Sequence, residues 1–330
     1  MTYPLRSPAL ALVSAFALAV AACSSGGDGE AAQEQSFGPP GPAGGGGSID
    51  KSGDAQLQSL IADVKPKFAQ FAYEDAETGL TLPYNLYTPA DAETAGPLPL
   101  VFFIADASVV GKDVTAPLEQ GLGGLIWASD EEQAKHPAYV LVPEFPNVVI
   151  DDHGALTVNE YQDVARRLVL DVAAKVGADK DRLYATGQSM GCMMLLLMSA
   201  NYPDLFAREL FVSGQWDVSK LSALGDQDFF YVVAEGDPKA SAGQDELYEA
   251  LTSEGVTIPR ATFDAGWSEA EVAEAVSALT EKTSGPKFVM FKEDTVLPEG
   301  TSAPGGAGEH MYSFDPAYRL TAVRDWLFGG

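Results

Sequence analysis

Cysteine, histidine and basic residues are all scarce in this chain. Two cysteines, Cys23 and Cys192, and three histidines, His136, His153 and His310, occur in 330 residues. They are widely scattered in the sequence, which implies neither a disulfide framework nor a zinc site, and no metal or organic cofactor is expected. Lys and Arg number 20 against 47 Asp and Glu, a formal net charge of −27. So acidic a surface repels nucleic acid and anionic lipid and removes both from the expected partners. The apolar run Ala9 to Ala22 is too short for a comfortable membrane span. Hydrophobic residues still make up 46% of the chain, ample for a buried core. The length suits one large α/β domain or two small ones.

The N-terminus reads as an export signal over residues 1–22: Arg6 supplies the basic start and Ala9 to Ala22 the apolar stretch, with small residues toward its end. Its close, Val20-Ala21-Ala22-Cys23, resembles the lipobox of bacterial lipoproteins. That resemblance implies a lipidated Cys23 as mature N-terminus, a membrane anchor and a place in the cell envelope. Several acyl chains would hold firmly, since each buried CH₂ adds about 0.8 kcal/mol. Residues 23–51 then form a lipidated Cys and tether rich in Gly, Pro and Ser, including Gly44-Gly45-Gly46-Gly47. The folded domain is expected over residues 52–330.

Within that domain Phe68–Glu74 and Thr81–Tyr87 alternate in character around Thr78-Gly79, as a β-hairpin does. Continuous apolar runs follow at Leu98–Ile104, Tyr139–Val142, Phe206–Val212, Phe229–Ala234 and Phe288–Phe291. These are the signature of strands buried on both faces. Val158–Val176, Leu247–Leu251 and Glu269–Glu281 have helical spacing, and Gly177 suits a helix C-cap. Strands alternating with helices imply a mostly parallel sheet covered on both faces.

Gly187-Gln188-Ser189-Met190-Gly191 is the most informative stretch. About 0.2 chance matches to Gly-x-Ser-x-Gly are expected in a chain of this composition, so the pattern alone decides little. Context decides more: Arg182–Thr186 precedes it as a short strand, and Cys192–Ala200 follows as an apolar helix. A Ser on so sharp a turn needs small residues two places either side, and its hydroxyl then stands above the sheet at a helix N-terminus. Such a Ser needs a base, and the base works better when a carboxylate orients it. In elbow hydrolases the chain order is Ser, acid, His. His310 alone among the histidines follows Ser189. Asp237, just past the Phe229–Val233 strand, is the first choice of acid, with Glu235 and Asp264 as rivals. The oxyanion donors would be the N–H groups of Met190 and, in the loop after Ile104, Ala107. Gln188 and Trp216 are candidates for the substrate pocket. His136 reads as structural and His153 as solvated.

The folded portion resembles the α/β-hydrolases, and within them secreted esterases related to poly(3-hydroxybutyrate) depolymerases, feruloyl esterases and prolyl-oligopeptidase-like hydrolases. Leu82–Pro89 is similar to their first hairpin, Pro99–Ile104 to the strand before their oxyanion loop, Asp181–Gly191 to their elbow, and Asp325–Phe328 to their final helix. The resemblance implies the α/β-hydrolase fold, with Ser189, Asp237 and His310 as nucleophile, acid and base. Two departures stand out. Relatives usually carry His-Gly where this chain has Ala105-Asp106, and Gly where it has Cys192. The expected function is an extracytoplasmic serine esterase acting through an acyl-enzyme on a small-molecule or glycan ester. A serine peptidase of the same fold, or a silent surface-binding lipoprotein, are the alternatives.

Overall fold

The structure, a computed structural model, describes residues 49–301 and 307–329. The signal segment, Cys23 and the Gly-rich run lie outside the described residues. The apolar runs become strands whose side chains alternate between two cores, as the two-residue period of a strand requires. Leu100, Phe102 and Ile104 of β3 (Leu100–Ile104) face one core, and Val101 and Phe103 face the other. Around β3 lie β1 (Ala69–Glu74), β2 (Thr81–Tyr87), β4 (Tyr139–Pro143), β7 (Leu183–Gln188), β8 (Arg208–Val212), β9 (Phe229–Ala234), β10 (Arg260–Phe263) and β11 (Lys287–Phe291). Among the described residues these nine strands form one sheet in the order β1-β2-β4-β3-β7-β8-β9-β11-β10. Only the β1–β2 and β2–β4 pairings are antiparallel. A separate small hairpin joins β5 (Ile150–Asp151) and β6 (Thr157–Val158).

Helices α3 (Tyr161–Val176), α4 (Met190–Asn201) and α5 (Pro238–Ser253) cover one face. The other face carries α1 (Ala55–Asp63), α6 (Glu269–Thr280), α8 (Phe314–Arg319) and α9 (Thr321–Leu327), with the short α2 (Asp130–Lys135) and α7 (Ala307–Tyr312) nearby. Helix α4 is apolar nearly all round and buried from Met190 to Ser199, as a helix between sheet and outer helices should be. No described helix is long and apolar enough to cross a membrane.

Several boundaries moved for local reasons. Leu98 and Pro99 stay outside β3, where Pro has no N–H for the ladder. The helix expected from Val158 starts at Tyr161, because Val158 pairs with Ile150 in the small hairpin. Gly177 caps α3 in the left-handed region (φ 68°), as expected. Strand β10 had no apolar run to announce it: it is a four-residue edge strand with only Phe263 buried. Upstream of residue 52, Ile49 already packs on the core and Lys51 pairs with Asp315 at 2.9 Å. The N-terminal hairpin is fastened by Arg167 of α3, which grips Asp75 with two hydrogen bonds of 2.6 and 2.9 Å. That guanidinium holds the Asp75 carboxyl well below the usual carboxylate range.

Candidate active site

Strand β7 and helix α4 meet at Ser189, whose backbone sits at φ 52°, ψ −117°. This is a costly conformation for a residue with a Cβ, and the packing around it enforces it. A Cβ on Gly187 would lie 2.7 Å from the Gly191 carbonyl carbon, and one on Gly191 would run into the Ile104 carbonyl. The two small residues of the motif are thus required by close backbone approach, as the sequence argued.

Beyond the sheet, Asp237 caps α5, its Oδ1 accepting the Ala240 N–H at 3.2 Å, with Pro238 at the first helical position. Its other oxygen, Oδ2, lies 2.5 Å from His310 Nδ1. On the far side of the ring, His310 Nε2 is 2.9 Å from Ser189 Oγ. The carboxylate is buried, whereas the imidazole side chain keeps 26% of its exposure and Ser189 is partly open. Phe314 packs its edge against the imidazole at 5.1 Å between ring centres. Three residues separated by 48 and 73 positions in the chain are therefore brought into one hydrogen-bonded line. The rival carboxylates lie elsewhere. Glu235 accepts the Glu293 N–H at 3.1 Å, and Asp264 folds onto the Gly266 N–H at 2.9 Å.

The N–H groups expected to receive an oxyanion both open helical turns. Met190 is the first residue of α4, and Ala107 begins a 3-10 turn, Ala107–Val109. N–H groups at such positions have no partner within their own helix. The departure at Asp106 has a structural explanation. Its carboxylate is buried, with Oδ1 accepting the Ser108 N–H at 2.7 Å and Oδ2 the Gln188 amide at 3.1 Å. The side chain is held inside the loop by two donors. This corrects the expectation for Gln188: it is fully buried and bonds Asp106 and Gln120, so it braces the loop after β3 and does not line an open pocket. Trp216 is likewise corrected to a core residue, 8% exposed and packed in the α3–α5 face. Two residues earlier, Gly214 is pressed against the elbow: a Cβ there would come 2.5 Å from the Ser189 carbonyl oxygen. Cys192 fits for the same reason. Its fully buried thiol lies against Gly214, with Sγ 3.6 Å from that carbonyl, and burial pushes it well above the usual thiol range.

Among the described residues, two groups of carboxylates and histidines come together away from this line: Glu132, His136 and Asp325, and Asp151, Asp152 and His153. Both are already paired, His136 Nε2 with Asp325 at 2.9 Å and Glu132 with Arg324 at 2.8 Å. In the second group the His153 side chain is 80% exposed, in agreement with a solvated reading.

No protein-family model matches the sequence, and no curated protein matches it either. Solved structures do match. A thermostable esterase superposes with a TM-score of 0.63 at 23% identity, over 80% of this chain and 63% of its own. The chain thus spans under two thirds of that relative. A ferulic acid esterase superposes with a TM-score of 0.51 at 12% identity, over 80% and 98% of the two chains. The feruloyl esterase module from Clostridium thermocellum, solved with sinapinate, gives 0.52 at 13%, over 78% and 87%. This protein has the α/β-hydrolase fold.

Proposed function

We propose that this α/β-hydrolase-fold protein is a serine hydrolase of carboxylic esters. The observation that carries the reading is the line Asp237–His310–Ser189, with contacts of 2.5 and 2.9 Å at the two ring nitrogens. In this reading His310 Nε2 takes the Ser189 proton as Oγ adds to the ester carbonyl. Asp237 keeps the other nitrogen protonated and balances the imidazolium that forms. The oxyanion is received by the Met190 and Ala107 N–H groups, fixed donors that need no reorganisation during the reaction. His310 then returns the proton to the leaving alcohol, and water repeats the sequence to free the acid.

The test is labelling of the full chain with a fluorophosphonate, followed by peptide mapping and hydrolysis of a short-chain chromogenic ester. Label on Ser189 is expected, together with a loss of about 10⁶ in kcat for Ser189→Ala and an unchanged Tm. Activity of that variant within tenfold of the unmodified protein would exclude Ser189 as nucleophile. A matched anilide in the same assay separates esterase from peptidase. We also propose attachment to the cell envelope through Cys23, supported by the Val20–Cys23 sequence. Palmitate labelling in a bacterial host should vanish in Cys23→Ser, and labelling that survives would sink the anchor.

A further inference from the structure

His310 stands on a six-residue helix, α7, too short to be held by its own backbone bonds. The residue before it is Glu309, whose side chain is turned inward and only 4% exposed. Its Oε2 accepts the Gly236 N–H at 2.9 Å, and its Oε1 accepts the Asp294 N–H at 3.0 Å. Gly236 is the immediate neighbour of Asp237. Asp294 lies beyond the end of β11 and holds a left-handed backbone, φ 67°, which is strained for a residue with a side chain. One buried carboxylate thereby joins the loop that carries the acid, the loop that leads out of β11 and the helix that carries the base. Gly236 is small for this purpose, because a Cβ there would fall inside the Glu309 carboxylate.

We propose that Glu309 is a positioning residue for the site: it sets the distance and angle between His310 Nδ1 and Asp237 Oδ2 by clamping their two segments together. The inference rests on the hydrolase reading above. Glu309 touches no reacting atom, so its effect is expected in the rate of proton transfer and not in substrate affinity.

The experiment is ester hydrolysis by the full chain, with each variant's competent sites counted by fluorophosphonate titration. In Glu309→Ala, kcat per titrated site should fall by about tenfold to a hundredfold, the cost of a misplacement near 1 Å, with KM within twofold. Glu309→Gln keeps one carbonyl acceptor and should fall between Glu309→Ala and the unmodified protein. A purely structural role would lower the number of titratable sites and leave the rate per site unchanged. That outcome, or a Glu309→Ala rate per site within twofold of the parent, overturns the proposal. Should Glu309→Ala fail to fold, Gly236→Ala displaces the same carboxylate and should lower kcat per site in the same way. An unchanged rate per site there overturns it equally. Failure of the unmodified protein to label at Ser189 is a distinct result, which overturns the hydrolase reading and this inference with it.

Discussion

Around Ser189 the backbone leaves no room for choice. Gly187 and Gly191 are pressed against neighbouring main chain, Gly214 closes in from the β8 loop, and α4 lies buried behind. Around His310 the chain is held instead by polar side chains: Glu309 to two backbone N–H groups, and Ser313 Oγ donating to the His310 carbonyl at 2.8 Å while accepting from Ser213 Oγ at 2.7 Å. The position of Ser189 is thus enforced by exclusion of volume, that of His310 by directed bonds. Packing of the first kind fails when an atom is added. Packing of the second kind fails when an acceptor or donor is removed. The same site therefore has two modes of damage, one read mainly in stability and the other mainly in rate.

The sharpest contrast comes from Asp237→Asn on the His310 side. An amide cannot hold the required imidazole tautomer, so kcat should fall by about 10⁴ with Tm nearly unchanged. Asp264→Asn should stay near the parent rate. Should Asp264→Asn show the large loss and Asp237→Asn none, the acid has been misassigned.

On the elbow side Gly191→Ala adds a single methyl against the Ile104 carbonyl. Overpacking of this kind is expected to cost about 3 kcal/mol, measured by urea unfolding. A variant with parental stability would show that the elbow has slack and would erase the distinction drawn above.

The elbow unit also contains a buried acid. Ser199 near the end of α4 donates to Glu209 of β8, and complete burial pushes Glu209 up to about 8. The folded state then keeps a proton that the unfolded chain releases near the ordinary Glu value. Stability must fall as pH rises from about 4.5 toward 8, by at most about 1.4 kcal/mol per pH unit for this group. Glu144, pushed up to about 7 by burial, adds a slope of the same sign that ends sooner. Glu209→Gln should flatten the decline between pH 7 and 8, followed by urea titration at each pH. An unaltered decline there would place its origin elsewhere.

Ser313→Ala is the mildest probe. It removes one hydroxyl from the His310 side and should cost about 1 kcal/mol in stability. A loss well above that, with no change in kcat, would show α7 to be held more by packing than by directed bonds.

The elbow could be read from the sequence because its requirements are local: a strand, a small-residue turn and an apolar helix within 19 consecutive residues, Leu183–Asn201. His310 was found by elimination, being the only histidine after Ser189. Asp237 rested on its place past a buried strand, and in the structure it is the N-cap of α5. Glu309 was passed over even though it adjoins His310, since nothing in the sequence says that its carboxylate turns inward to meet residue 236 and residue 294. Gln188 and Trp216 were misplaced for the related reason that adjacency to a site in sequence does not give the direction of a side chain. Strand β10 was missed because an edge strand with one buried residue has no periodic pattern to show.

Local chemistry in the sequence determined the alternating strands and helices, the turn that raises Ser189 and the chain order of the three polar residues. Those follow from side-chain period, glycine size and the spacing of apolar runs, which act over a few residues. Only the tertiary structure decided that Asp106 points inward to Gln188, that Cys192 fits against Gly214 and that Glu309 bridges two loops. Such outcomes depend on which backbone donors arrive from distant segments. That is set by how the parallel strands line up their carboxyl ends, and not by any residue's immediate neighbours.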